Sequence, residues 1–322
     1  MADGKPVDLV LEGGGVKGIG LLGAVLVLHD QGYRFQRIAG TSAGAIVAAL
    51  VAAYQKAGRD LHELEDVMHG CEYRKFQEDS LLHRVLGKAG DGIEFLLHRG
   101  AHTGDYLYEW LGPLFEAVGV TKFGDLRLDD PNTSLQDYQR YSLVVHTSDL
   151  SRRALVRLPW DYAEYGRKAD DELLVDAVRA SMSIPFFFRP VEFETGERKK
   201  VTWVDGGLLS NFPITVFDRT DGVRSRWPTW GVKLSGRPRG NHDSPIRSPL
   251  GIATGSLQTL MADWNRYRLD DEGVNQRTIF VDTGGISATD FGLSPETQAT
   301  LYSSGQEAAR RFLAQLPSAV VE

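Results

Sequence analysis

Three short stretches carry residue types suited to acyl transfer. Residues 40–44 read GTSAG, a G-x-S-x-G sequence. Between a strand and a helix, such a turn presents its serine at the carboxyl edge of a sheet. Gly40 and Gly44 leave room for the tight turn and for close helix packing. The helix N-terminus beyond Ser42 adds positive potential where negative charge develops. The competing reading makes Ser42 a plain cap of the helix beginning at Ala43. Residues 13–18 read GGGVKG, so that Gly13, Gly14, Gly15, Lys17 and Gly18 form a loop after an apolar run. A loop of that kind brings backbone amides against something negative, an oxyanion or a phosphate. Its G-x-G-x-x-G spacing also satisfies the dinucleotide fingerprint. The second strand, however, ends RIAGTSAG, with no acid to hold a ribose, and Lys17 is followed by glycine, which breaks the P-loop pattern. The third stretch is WVDGG, in which Asp205 ends a predicted strand at the Gly206–Gly207 turn.

A serine hydroxyl is a weak nucleophile and needs a base. In the order Ser, Asp, His, the histidine must lie late in the chain. After residue 146 the only histidine is His242, within the predicted flexible loop GRPRGNHDSPIRS at 236–248. His62, His69, His83, His98 and His102 fall among polar helical residues. Asp205 is therefore the better candidate base, at the same sheet edge as Ser42 if its strand runs parallel, although Asp-Gly is also a common turn pair. With a model-peptide pKa of about 3.9 it is an intrinsically weak base. No H-E-x-x-H or cysteine-rich spacing exists, so neither a metal nor another cofactor is expected.

The elements that must position these residues follow from apolar patterning. VDLVL (7–11) reads as a buried strand, the segment after the glycine loop as a buried helix ending at Gly32, RFQRIAG as a second strand, and TSAGAIVAALVAAYQKAG as an alanine-rich helix. This alternation predicts an α/β fold of three layers, α/β/α, with a mostly parallel central sheet. Amphipathic helical pieces are expected around 61–69, 80–87, 93–98 and 105–118. Strands are expected at 141–149, 153–159, 202–205, 229–236 and near 278, and helices before Pro185, over 248–269 and after Ser294. No repeat or linker divides the chain. One domain over 1–322 is expected, with the motifs in 7–215 and the remaining elements in 216–322.

The chain has 322 residues, 42% hydrophobic and 25% charged, ordinary globular values. Its net charge of −7 argues against a dedicated nucleic-acid binder. Cys71 is the only cysteine, so no internal disulfide forms. Apolar runs near 19–28 and 43–53 fall short of the ~20 residues of a membrane span. No signal-peptide pattern opens the chain. A cytoplasmic protein is expected, touching membranes at most peripherally.

GGGVKG, GTSAG and DGG, in this order and in these contexts, resemble the patatin-like phospholipase family. ASMSIPFFFRPV (180–191) is similar to the family's proline-containing block, and the tail from Asp282 is similar to the tails of bacterial members, so the likeness runs along essentially the whole chain. The resemblance implies Ser42 as nucleophile, Asp205 as its proton acceptor in a Ser-Asp dyad, and an oxyanion hole from the backbone around Gly14 and Gly15. Lys17 stands where the family has arginine or lysine. Lipid or phospholipid is the implied substrate. The alternative is a soluble carboxylesterase or thioesterase with little lipid preference. Residues 59–140 match no motif; in the family such insertions shape the acyl pocket and lid. An activator or effector partner stays open.

Overall fold

The computed structural model describes residues 4–78, 104–130, 133–234, 272–288 and 290–316, with isolated positions between 252 and 260. The helical pieces expected at 80–87 and 93–98, the loop 236–248 and most of the helix over 248–269 lie outside the described residues. So do His83, His98, His102 and His242.

Eight strands form one sheet: β1 (Lys5–Leu11), β2 (Tyr33–Thr41), β3 (Leu143–Asp149), β4 (Ala154–Leu158), β5 (Val191–Glu194), β6 (Lys200–Asp205), β7 (Thr229–Lys233) and β8 (Thr278–Phe280). They run in the order β5-β6-β3-β2-β1-β7-β8, with β4 also on β3. The pairs β3–β2, β2–β1, β1–β7 and β7–β8 are parallel, and β4, β5 and β6 add an antiparallel flank. The last five residues of β1 and all of β3 and β7 are buried. Burial on both faces explains the unalternated apolar stretches, Leu9–Leu11 in β1 and Leu143–Val145 in β3.

The longer helices are α1 (Gly18–Asp30), α2 (Ala43–Lys56), α3 (Glu63–His69), α4 (Asp105–Val118), α5 (Leu174–Ser181) and α6 (Pro295–Gln315). The first eleven residues of α1 and the first twelve of α2 are buried. A helix apolar on every side belongs in the interior, and α6 covers α1 while α4 and α5 pack on α2. The ten-residue apolar runs of the sequence are thus the inner helices of the fold. Among the described residues, no helix is long and apolar enough to cross a membrane.

Asp205 reaches the edge where Ser42 stands by an unexpected route. Its strand is antiparallel to β3, where a parallel strand was the condition set by the sequence. Val145 pairs with both Gly40 and Leu158, and Thr147 with both Val156 and Asp205. A strand residue has one partner on each side, so β4 occupies one edge of β3 while β2 and β6 share the other, end to end. Thr41 pairs with His146 and Asp205 with the next residue, Thr147. The carboxyl ends of β2 and β6 therefore meet head to head on adjacent residues of one buried strand.

Candidate functional site

Ser42 leaves β2 in a sharp turn, with φ 53° and ψ −123°. A non-glycine residue is held in such a conformation only where its surroundings over-determine it. Its side chain makes no capping hydrogen bond to α2, which removes the reading of Ser42 as a plain cap. Close packing sets the turn: a Cβ at Gly44 would stand 2.4 Å from the Leu11 carbonyl oxygen and 2.6 Å from that of Glu12. Only glycine lets the first turn of α2 approach the end of β1 so closely. The Ser42 N–H donates to Ser181 Oγ (2.8 Å), whose hydroxyl donates to the His146 carbonyl (2.6 Å). The Ser42 hydroxyl points at Met182 Sδ, 3.7 Å away. Ser181 thus holds the turn from behind and Met182 touches its hydroxyl.

Asp205 is fully buried. Its Oδ1 accepts the Gly207 N–H at 2.7 Å, and its backbone N–H donates to the Ser183 carbonyl at 2.8 Å. Oδ2 is buried without a hydrogen-bond partner among the described residues. Burial pushes the carboxyl up to about 7, while interactions with Ser42 and the Gly207 amide pull it down. The ordinary carboxylate pKa expected from the sequence is thereby corrected: desolvation disfavours the charged form and makes Asp205 a stronger base.

The glycine loop comes to the same edge. The Gly13 N–H donates to the Asn211 carbonyl (3.0 Å), and Asn211 Nδ2 donates back to the Gly13 carbonyl (3.1 Å), which joins the loop to the turn after Asp205. Gly15 has φ +57°, and a Cβ there would fall 1.8 Å from the Ala288 carbonyl oxygen, the acceptor of the Val16 N–H at 3.1 Å. Among the described residues no hydrogen bond engages the Gly14 or Gly15 N–H. Two backbone donors beside the Ser42 turn are groups of the kind an oxyanion hole requires. Gly18 begins α1, Gly40 lies within β2, and Gly206 and Gly207 follow Asp205.

Residues that the motifs did not single out anchor this loop. Glu12, just after β1, and Lys233, at the end of β7, are both buried and form an ion pair. Glu12 Oε2 also accepts the Leu234 N–H at 2.5 Å. Burial lowers the pKa of the Lys17 amine, with Glu12 raising and Lys233 lowering it, which places that amine near this pair. Breaking a buried pair from one side costs about 3–5 kcal/mol. Lys233→Met is expected to lower the urea-unfolding free energy by about that much, and adding Glu12→Gln to recover part of it. A loss below about 1 kcal/mol would show that the pair does not hold the loop.

His146 belongs to none of the three motifs. It is buried at the same edge, and burial takes its imidazole down to about 4 against a contact with the Gly40 backbone. Its Nδ1 has no partner among the described residues, and neither Ser42 Oγ nor Asp205 hydrogen-bonds to the ring. A pocket adjoins Ser42, lined by Ala43 and Met182 together with Val16, Ile46, Met68, Cys71, Tyr73, Phe76, Trp110 and Phe291. Much of this wall comes from the unassigned stretch 59–140. The aromatic run 185–193 contributes none of it: Phe188 and Phe193 are packing residues, the latter against Trp203. Among the described residues no cluster of three or more His, Cys, Asp or Glu could hold a metal ion.

A mostly parallel sheet flanked by helices, with a G-x-S-x-G turn at its carboxyl edge, defines an α/β protein of hydrolase type. The chain belongs to the patatin-like phospholipase family, whose description matches residues 9–218. It is 35% identical over 309 residues to the uncharacterized protein YqhO of Bacillus subtilis strain 168, covering 96% of this chain and 98% of that one. It is 29% identical over 225 residues to patatin-like protein 4 of Arabidopsis thaliana, covering 65% of this chain and half of that protein. The crystal structure of VipD from Legionella pneumophila shares the fold, with a TM-score of 0.52 at 16% identity over 97% of this chain and 67% of VipD. Family membership supports a lipid acyl hydrolase in general.

Proposed function

We propose that the chain is a phospholipase A-type acyl hydrolase working through an acyl-enzyme on Ser42, with Asp205 as the base and no histidine. One observation carries this reading: β2 and β6 end head to head on His146 and Thr147, which sets a strained serine beside a buried carboxylate. The Ser42 hydroxyl turns from Met182 towards Asp205 Oδ2 and gives up its proton as Oγ attacks the ester carbonyl. The Gly14 and Gly15 amides receive the oxyanion. Collapse expels the alcohol or lysolipid, which takes the proton from Asp205. Water then attacks the acyl-serine by the same route. Residues 1–322 act as one domain, meeting the lipid surface peripherally, with no metal or other cofactor in any step.

Asp205 must be ionised to act. With its carboxyl near 7, kcat/KM is expected to fall roughly tenfold per pH unit below neutrality. The same shift acts on stability. A carboxyl whose folded pKa lies above its unfolded one binds more protons when folded, so stability declines as pH rises from about 4 to about 7. Asp205→Asn removes that cost and is expected to be the more stable protein by a few kcal/mol above pH 7, the advantage vanishing near pH 4. A flat pH–rate profile across 5 to 8 would remove Asp205 as the base.

The function itself is tested with nitrophenyl esters from acetyl to palmitoyl, assayed with wild type and Ser42→Ala. Serine-dependent turnover that increases with chain length is expected. A preference for the shortest esters would mark a carboxylesterase with little lipid preference, and turnover independent of Ser42 would overturn the reading.

A further inference from the structure

The end of α5 touches both members of the proposed dyad. Ser181, its last residue, is fully buried and accepts the Ser42 N–H on its Oγ at 2.8 Å. Met182 lies against the Ser42 hydroxyl, and the Ser183 carbonyl accepts the Asp205 N–H at 2.8 Å. Three consecutive residues thus span from Ser42 to Asp205. His146 anchors the span. The Ser181 hydroxyl donates to the His146 carbonyl at 2.6 Å, and a Cβ at Gly206 would stand 2.2 Å from that same oxygen. The carbonyl that holds Ser181 is therefore the one against which the turn after Asp205 packs.

Ser42 follows the last residue of β2 and precedes the first of α2, so neither ladder supplies a partner for its N–H. A buried amide left unpaired is costly. A serine at φ 53° stays there only while its surroundings hold it. Ser181 answers both needs: it pairs the amide and ties the turn to β3, the strand on which β2 and β6 meet. Without that hydroxyl the turn relaxes toward ordinary backbone, and Oγ shifts with it. A displacement of about 1 Å suffices to cost roughly 100-fold in rate. On the reading that Ser42 and Asp205 form the dyad, we propose that Ser181 is a positioning residue of the reaction. Its hydroxyl fixes the Ser42 backbone in the conformation that aims Oγ at the ester carbonyl and keeps it in register with Asp205. It touches no substrate and carries no proton.

The test compares wild type with Ser181→Ala, Ser181→Cys, Ser181→Thr and Thr278→Val on the nitrophenyl ester that wild type hydrolyses fastest. Alanine removes the acceptor and leaves a hole, cysteine fills the hole but accepts weakly, and threonine keeps the hydroxyl. Thr278→Val is the control. Thr278 is also buried, and its hydroxyl donates to the Val274 carbonyl at 2.6 Å, but it lies on β8 at the far edge of the sheet. The alanine and cysteine variants are expected to lose roughly 10- to 100-fold in kcat with KM little changed, and Ser181→Thr to stay within about threefold of wild type. Thr278→Val should lose stability in urea and keep its kcat. Wild-type kcat in Ser181→Ala would overturn the proposal. So would recovery in Ser181→Cys, which would make the residue a space filler. An equal fall in Thr278→Val would do the same, since the loss would then follow from any missing buried hydroxyl. If the threonine methyl prevents folding, the comparison of alanine with cysteine decides alone. If wild type hydrolyses no ester, the failure lies with the acyl-hydrolase reading. Turnover lost in Ser42→Ala and Asp205→Asn but kept in Ser181→Ala confines the failure to Ser181.

Discussion

Ser42→Ala and Asp205→Asn are each expected to lower kcat/KM for ester hydrolysis by roughly 10⁴-fold or more, and the double variant by little beyond either single one. Ser42→Ala removes the atom that, on the proposed mechanism, bonds to the acyl carbon. Asp205→Asn keeps shape and burial but cannot accept a proton. On the proposed mechanism both residues serve one proton transfer, so removing the second after the first deletes nothing further. A near-multiplicative double loss would mean that the two act in separate steps. The fold should survive both changes. The Ser42 side chain makes no capping hydrogen bond, and the carboxamide of Asp205→Asn retains an oxygen for the Gly207 N–H. Far-UV dichroism and unfolding midpoints check this, and turnover in either variant above about one per cent of wild type would contradict the dyad.

Gly15→Ala carries the second large effect. Its methyl group would fall 1.8 Å from the Ala288 carbonyl oxygen, on a residue with φ +57°. The loop must move, and the Gly14 and Gly15 amides move with it. Misplacing one oxyanion donor typically costs roughly 10²–10³-fold in kcat, about 3–4 kcal/mol, with KM little changed. The control is Gly32→Ala, also at a left-handed glycine (φ +80°) but with nothing within 4 Å. It carries the backbone strain of about 1 kcal/mol without touching the loop, so it should lose some stability and keep its activity. Equal kcat for both variants would show that the Gly15 loop does not stabilise the transition state.

Much of this site is legible in the sequence because local chemistry dictates it. Ser42, Gly40 and Gly44 sit in a turn whose type is written into five residues, and buried strands and helices announce themselves as apolar runs. The pairing of Asp205 with Ser42 is legible only as a meeting of two turns, since strand direction depends on how residues 185–199 return to the sheet. That return makes β6 antiparallel, and no short-range pattern encodes it. The raised Asp205 carboxyl is a property of burial by distant segments. Ser181, Met182, Glu12 and Lys233 act through contacts 139, 140 and 221 residues apart. Glu12 left one local trace, an acid closing an apolar strand where a partner is required.

The most direct measurement is the intact mass of the protein after incubation with a long-chain fluorophosphonate, followed by peptide mapping. The account expects a single adduct on Ser42, absent from Ser42→Ala and formed far more slowly by Asp205→Asn. An adduct on another residue, or labelling of Asp205→Asn at the wild-type rate, would contradict it.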